Sequence, residues 1–328
     1  MTELEHPPAV QEDLDPFVHP ALFYRTPQEY LTGVGGFVTT ALEADEPVLV
    51  AVPGPLLRTL REHLGDKTGA DLLTFADMTD LGRNPGRILS ALRDFADRHG
   101  DRPARIVGEP FWPRRSPAEV VEATRHEALI NAAFAGRTAT VLCPYDVTVL
   151  PPAVCADARR THPVLWEDGA KRPSPQYAGP AVISAECDAL PLAPPPADAH
   201  TLTFTTGELG EVRHHADTWA HQAGLDTRRR GDFVLAVAEA AANSIAHGGG
   251  HGRLRLWADG PDRVAEIRDR GRLDDLLAGR RRPSVDTANG GRGLWMMHQL
   301  CDLVETRATP DGLTVRLHMA RTDGPARP

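Results

Sequence analysis

Residues 232–247 read DFVLAVAEAAANSIAH, and the spacing of this stretch decides the fold of the C-terminal third. At about 100° per residue, Phe233, Val234, Val237, Ala238, Ala241 and Ile245 fall inside an arc of roughly 140°. Glu239, Asn243 and His247 line the opposite side, one turn apart. The pattern predicts a helix over about 227–247, capped by Asp226 or Thr227. One face packs on a sheet, and the other presents a carboxylate and an amide together. A solvated helix flank has the same look, so the pair gains meaning only from its surroundings.

Working outward, RLRLWAD (253–259) and RVAEIRD (263–269) read as a strand pair, and the second ends in Asp269-Arg270-Gly271. An acid at a strand end followed by a glycine lets a flat ligand approach the backbone. About 20 residues later Gly290-Gly291-Arg292-Gly293-Leu294 opens a helix, and LTVRLHM (313–319) is a further strand. Upstream lie a strand at TLTFT (201–205) and a helix over about 208–223. This order is α+β. Each short motif is weak alone; an E-x-x-x-N helix, then D-x-G after a hairpin, then G-x-G at a helix start is specific.

The constellation resembles the GHKL ATPase superfamily, with its two-layer α+β sandwich of the Bergerat type. Within it, Glu239 to His247, Asp269-Arg-Gly271, Gly290-Gly-Arg-Gly-Leu294 and the Gly312 to Leu317 strand are most similar to RsbW-type anti-sigma regulatory factors. The resemblance implies ATP and Mg²⁺ as cofactors. Asn243 would hold the magnesium, a hard cation that takes oxygen ligands. Glu239 would be the general base toward a serine hydroxyl. Asp269 would read the adenine amine, Gly271 would clear room for the ring, and Thr314 would support that aspartate through water. Gly291 and Gly293 would give N–H groups to the phosphates, with Arg292 a candidate for the phosphoryl charge. Arg272 to Asn289 would be a mobile lid. The implied function is a serine/threonine kinase that phosphorylates an anti-anti-sigma (STAS) protein and partners a sigma factor; a homodimer is compatible with it. Two rival readings stay open: an ATP-binding module that sequesters a partner without turnover, and a histidine kinase acting in trans. The second lacks a dimerisation helix bearing an acceptor histidine, since a proline stretch leads directly into a strand, and His214-His215 reads as a surface pair.

The 328 residues exceed one ordinary domain. The proline-rich 190–199 marks a semi-rigid linker between a domain over 15–189 and the GHKL-like domain over 200–320, with flexible tails at 1–14 and 321–328. Upstream, strands PVLVAV (47–52), LLTF (72–75), ARIVG (104–108) and TATVLC (138–143) alternate with helices, two of them opened by Asn84-Pro85 and Ser116-Pro117. That alternation predicts α/β with a mainly parallel sheet. No phosphate-binding lysine loop is present. Glu109 and Asp146 follow strands, where an open parallel sheet binds ligands. His19-Pro20-Ala-Leu-Phe23-Tyr24, Gly108-Glu-Pro-Phe-Trp112, Arg125-His-Glu127, Cys143-Pro-Tyr-Asp146 and the segment ending His162-Pro163 together resemble the MEDS sensory domain, a RecA/KaiC-like core without the lysine loop. That resemblance implies sensing rather than catalysis.

A net charge of −9 and a pI near 5.9 argue against direct nucleic-acid binding. No apolar run approaches a membrane span, and the opening MTELEHPPAVQEDLD is acidic where a secretory leader is basic and then apolar, so a cytoplasmic protein is expected. The four cysteines show neither C-x-x-C pairing nor histidines at metal spacing and read as buried reduced thiols. His247 and His251 have a zinc-pair separation, but three intervening glycines cannot hold the helix such a pair needs.

Overall fold

A computed structural model describes residues 15–65, 71–100, 102–283 and 291–321. Both proposed tails, Gly290, and the 284–289 part of the expected lid lie outside the described residues, apart from Arg321.

The N-terminal part begins with β1 (Pro20–Tyr24), α1 (Pro27–Tyr30), a π-helical turn over Leu31–Gly35, and α2 (Gly36–Glu43). It continues through β2 (Val48–Val52), α3 (Gly54–Leu64), β3 (Leu73–Asp77), α4 (Met78–Leu81), α5 (Pro85–Arg98) and β4 (Ala104–Gly108). Then come α6 (Pro117–Phe134), β5 (Ala139–Asp146), α7 (Pro152–Thr161), β6 (Val164–Glu167), β7 (Ala170–Pro173) and α8 (Pro180–Ala189). The seven-stranded sheet runs β3-β2-β4-β5-β1-β6-β7, parallel throughout except at β6–β7. Strands covered on both faces must be apolar on both, and β2 is: Leu49 and Ala51 enter one core with α5 and α6, while Val48, Val50 and Val52 enter another with α1 to α3. Ser116 and Glu119 form a reciprocal capping box at the start of α6, and Asn84 caps α5.

The C-terminal part is an antiparallel sheet with helices on one face. Its elements are β8 (His200–Thr205), α9 (Leu209–Gln222), α10 (Thr227–His247), β9 (His251–Asp259), β10 (Asp262–Asp269), α11 (Arg292–Leu300), β11 (Leu303–Thr309) and β12 (Gly312–Ala320). The strand order is β11-β12-β10-β9-β8. Phe233, Val237 and Ala241 of α10 sit in the core with Leu254, Ile267 and Leu317. Ala236, Ala240 and Ser244 are buried as well, so the covered arc is wider than the periodicity indicates because α10 also packs on α9 and α11.

Two expectations change. The proline-rich stretch, expected as a semi-rigid linker, is docked as well: Arg307 donates to the Leu190 carbonyl at 2.8 Å and Arg316 to that of Ala193 at 2.7 Å, which ties it to the outer face of the C-terminal sheet. The start of the expected lid is likewise anchored. Leu277 is buried in the N-terminal core, and Arg280 donates to Glu122 of α6 at 3.0 Å.

Candidate functional site

The end of β10, far from the hairpin turn, and α10 together set the position of Asp269. Its carboxylate accepts from the Ser244 hydroxyl at 2.5 Å and from the Gly271 N–H at 2.6 Å, so the side chain is fixed before any ligand arrives. Arg270 N–H donates to the Gly248 carbonyl, which binds the strand end to the end of α10. The backbone closes in from the other side too: a Cβ on Gly312 would stand 2.0 Å from the Asp269 carbonyl oxygen, and the glycine holds φ +130°.

A cavity of about 140 Å³ opens beside this carboxylate. Ile267, Leu294, Met297, Leu313 and Val315 supply apolar walls, and Asn243, Ser244, His247 and Asp269 supply polar atoms. Apolar faces with one oriented acceptor suit a flat heteroaromatic ring. Gly271 keeps the entry clear, since a Cβ there would lie 2.8 Å from Asp269 Oδ1 and 3.2 Å from the His247 carbonyl oxygen.

At the other end, α11 begins at Arg292 with Gly291 as its N-cap at φ +90°, and no side chain among the described residues caps it. The first N–H groups of a helix have no partner within it and attract anions. Gly293 touches the α10 pair directly: a Cβ there would meet Glu239 Oε2 at 2.8 Å and the Asn243 amide at 3.3–3.4 Å. Glu239, Asn243 and the α11 start thus meet in one place, and Asp269 and Gly291 line the same cavity. Glu239 is half-buried and is not part of the cavity wall. Arg292 is exposed at the first helical position.

Thr314 is not brought to this site. It faces Arg268 in the β10–β12 register, whereas Leu313 faces Asp269. Alternation along β12 sends Thr314 to the outer face with Arg316 and leaves Leu313 and Val315 in the cavity wall. The second group on Asp269 is instead Ser244, which sequence reasoning passed over. A hydroxyl on the core side of an Ala-rich helix needs a polar partner when buried, and that was its signal.

Residues 202–319 match the family model of the histidine kinase-like ATPase domain. The cavity, Asp269, Asn243 and the α11 start all lie within this matched segment. Residues 18–163 match the MEDS (MEthanogen/methylotroph, DcmR Sensory) domain. A solved structure to which the chain is similar holds the RsbU and RsbW domains of Rv1364c from Mycobacterium tuberculosis. Identity is 21%, coverage is 39% of this chain and 33% of that chain, and the TM-score is 0.28. No curated protein matches the chain. Among the described residues no helix is long and apolar enough to cross a membrane.

In the MEDS domain the two strand-end acids differ. Asp146 accepts from the Thr148 N–H at 2.9 Å and hydroxyl at 2.6 Å and is a turn acid. Glu109 is buried, accepts from the Tyr24 hydroxyl at 3.2 Å, and leaves Oε2 without a partner. Burial pushes its carboxyl up to about 8, and the nearby Asp146 charge adds to the rise. No histidine stands at metal spacing from a cysteine along the sequence, but in space Cys143 Sγ lies 3.4 Å from His19 Nε2. His251 Nδ1 donates to the Gly249 carbonyl at 3.0 Å, and the glycine turn carries no candidate metal cluster among the described residues.

Proposed function

We propose that this chain is an anti-sigma regulatory factor whose ATPase domain transfers phosphate from ATP to a serine or threonine of a STAS-type partner, under control of the MEDS domain. The observation that carries it is the meeting of Glu239, Asn243 and Gly293 at the start of α11, beside the cavity that Asp269 also lines. Bound Mg·ATP would supply the phosphoryl group and the charge that polarises it. The donor set fits: Asn243 would offer an amide oxygen to the magnesium, the first N–H groups of α11 would bind the phosphates, and Asp269 would accept from the adenine amine. Glu239, one turn from Asn243, takes the proton of the incoming hydroxyl.

Control has a physical route. Leu273 and Ala278 line the cavity, Leu277 between them is buried in the MEDS core, and Arg280 is paired with Glu122 of α6. A change in the MEDS domain that moved α6 would therefore move the cavity wall.

The test is incubation of the purified full chain with labelled ATP, Mg²⁺ and STAS proteins. Acid-stable label should appear on the partner and fall about 10²–10⁴-fold in Glu239→Ala. Acid-labile label would indicate a histidine kinase; nucleotide binding without transfer would indicate sequestration, and either would overturn this reading.

A further inference from the structure

Four residues far apart in sequence converge behind the MEDS sheet. β1 lies between β5 and β6, with Ala21 opposite Cys143 and Pro20 opposite Val164. His19 and His162 immediately precede this paired region, and α6 lays Glu127 over it. His19 and Glu127 are 1% exposed, and Cys143 and His162 are 0% exposed. One ligand atom from each lies within 4.8 Å of all the others. His19 Nε2 is 3.4 Å from Cys143 Sγ and 3.6 Å from Glu127 Oε2, which is itself 2.9 Å from His162 Nε2.

The hydrogen bonds behind the rings fix their tautomers. Asn131 uses its amide N–H groups on the Ala128 and Thr161 carbonyls, so its Oδ1 is left to accept from His19 Nδ1 at 3.1 Å. His162 Nδ1 donates to the Ala158 carbonyl at 2.8 Å. Each neutral imidazole therefore turns an Nε2 lone pair inward. Two lone pairs, a sulfur and a carboxylate then face one another. The Tyr145 hydroxyl donates to Glu127 Oε2 at 3.2 Å, Glu127 Oε1 has no hydrogen-bond partner among the described residues, and the inward lone pair of His162 Nε2 faces another acceptor, Glu127 Oε2, at 2.9 Å. Acceptors gathered away from water without donors are costly.

We propose that His19, Glu127, Cys143 and His162 form a four-coordinate site for a zinc-class transition metal ion. Two neutral imidazoles, a thiolate and a carboxylate carry two negative charges, which a dication neutralises in a buried place. Zinc bonds of about 2.0–2.3 Å place tetrahedral ligands about 3.3–3.7 Å apart. The 3.4 and 3.6 Å separations already match, and the 2.9 Å pair has only to open by a fraction of an ångström. Nitrogen and sulfur donors select zinc, cobalt or iron over magnesium or calcium. Asn131 and the Ala158 carbonyl are the outer partners that hold both rings at such centres. The rival arrangement is a proton shared between His162 and Glu127 with no metal.

The test uses the full chain, stripped with chelator and free of nucleotide, titrated with Co²⁺ and then Zn²⁺. One equivalent of cobalt should bind with a thiolate-to-metal charge-transfer band and the intense visible bands of four-coordination, and zinc should displace it. Cys143→Ser should lose the charge-transfer band, and Asn131→Ala should weaken cobalt binding about 10–100-fold. Circular dichroism checks that each variant is folded; if Cys143→Ser is not, the wild-type spectrum and Asn131→Ala decide. A folded wild-type chain that binds neither metal at micromolar concentration would overturn the proposal. So would a cobalt spectrum with weak six-coordinate bands and no thiolate transition.

Discussion

Substitution of Glu122 by alanine tests how the two domains are joined. Glu122 is fully buried, and its two oxygens accept from Arg280 Nη2 and Arg307 Nη1, each at 3.0 Å, with Arg125 Nε at 3.4 Å. Arg307 and Arg125 keep other acidic partners, Glu305 and Asp188. Arg280 has no second acidic partner among the described residues and is only 3% exposed. Removing one member of a buried pair costs about 3–5 kcal/mol, because the remaining charge stays desolvated. At about 2–4 °C per kcal/mol for a unit of this size, the melting temperature should fall by roughly 6–20 °C. The same variant should make the 272–283 segment more sensitive to limited proteolysis. A double-mutant cycle with Arg280→Ala, read by chemical denaturation, should give a coupling of at least about 1 kcal/mol. A loss below about 1 kcal/mol, or strict additivity of the two substitutions, would refute the view that this pair clamps the cavity wall to α6.

Glu109 should make stability fall as pH rises. Its folded value is raised to about 8 from an ordinary 4.5, so the native state holds a proton that the unfolded chain releases within that window. The contribution is complete below about 4.5 and is lost toward 8, at up to about 1.4 kcal/mol per pH unit. Denaturation across this range should show the slope, and Glu109→Gln should flatten it. Gly293→Ala should weaken Mg·ATP binding about tenfold or more by calorimetry, since the new methyl meets Glu239 Oε2 at 2.8 Å, while unfolding stability changes little. Thr314→Val should leave nucleotide affinity within about twofold, because Thr314 is on the outer face; a loss resembling that of Asp269→Asn would show the strand assignment to be wrong.

The C-terminal architecture was legible because its signals are local. The α10 periodicity, the D-x-G strand end and the G-x-G helix start each occupy a few consecutive residues, and the observed helix spans Thr227–His247 as the spacing predicts. β11 was missed: LVETRAT mixes charges with apolar residues because Glu305 and Arg307 are buried in ion pairs on the outer face, which hides the usual alternation. β1 was missed as a strand for a different reason. PALFY is short and opens on proline, yet it is a central strand paired on both sides. The Cys143 cluster was invisible to spacing because its members come from four separate stretches of chain that the parallel register and α6 bring together. Thr314 was expected beside Asp269 but is on the outer face, because on a strand one residue is the whole difference between faces.

Helix α6 is buried without a break from Glu122 to Ile130, so it has no solvent side against which to turn. Glu122 holds the ATPase domain through Arg280 and Arg307, and Glu127, five positions on, holds two histidines beneath the MEDS sheet. The two carboxylates are therefore locked in phase. One residue inserted between them would swing one against the other by about 100° and shift it about 1.5 Å along the axis. Either the histidine cluster or the inter-domain clamp would then lose its acid, whichever end the helix kept in place.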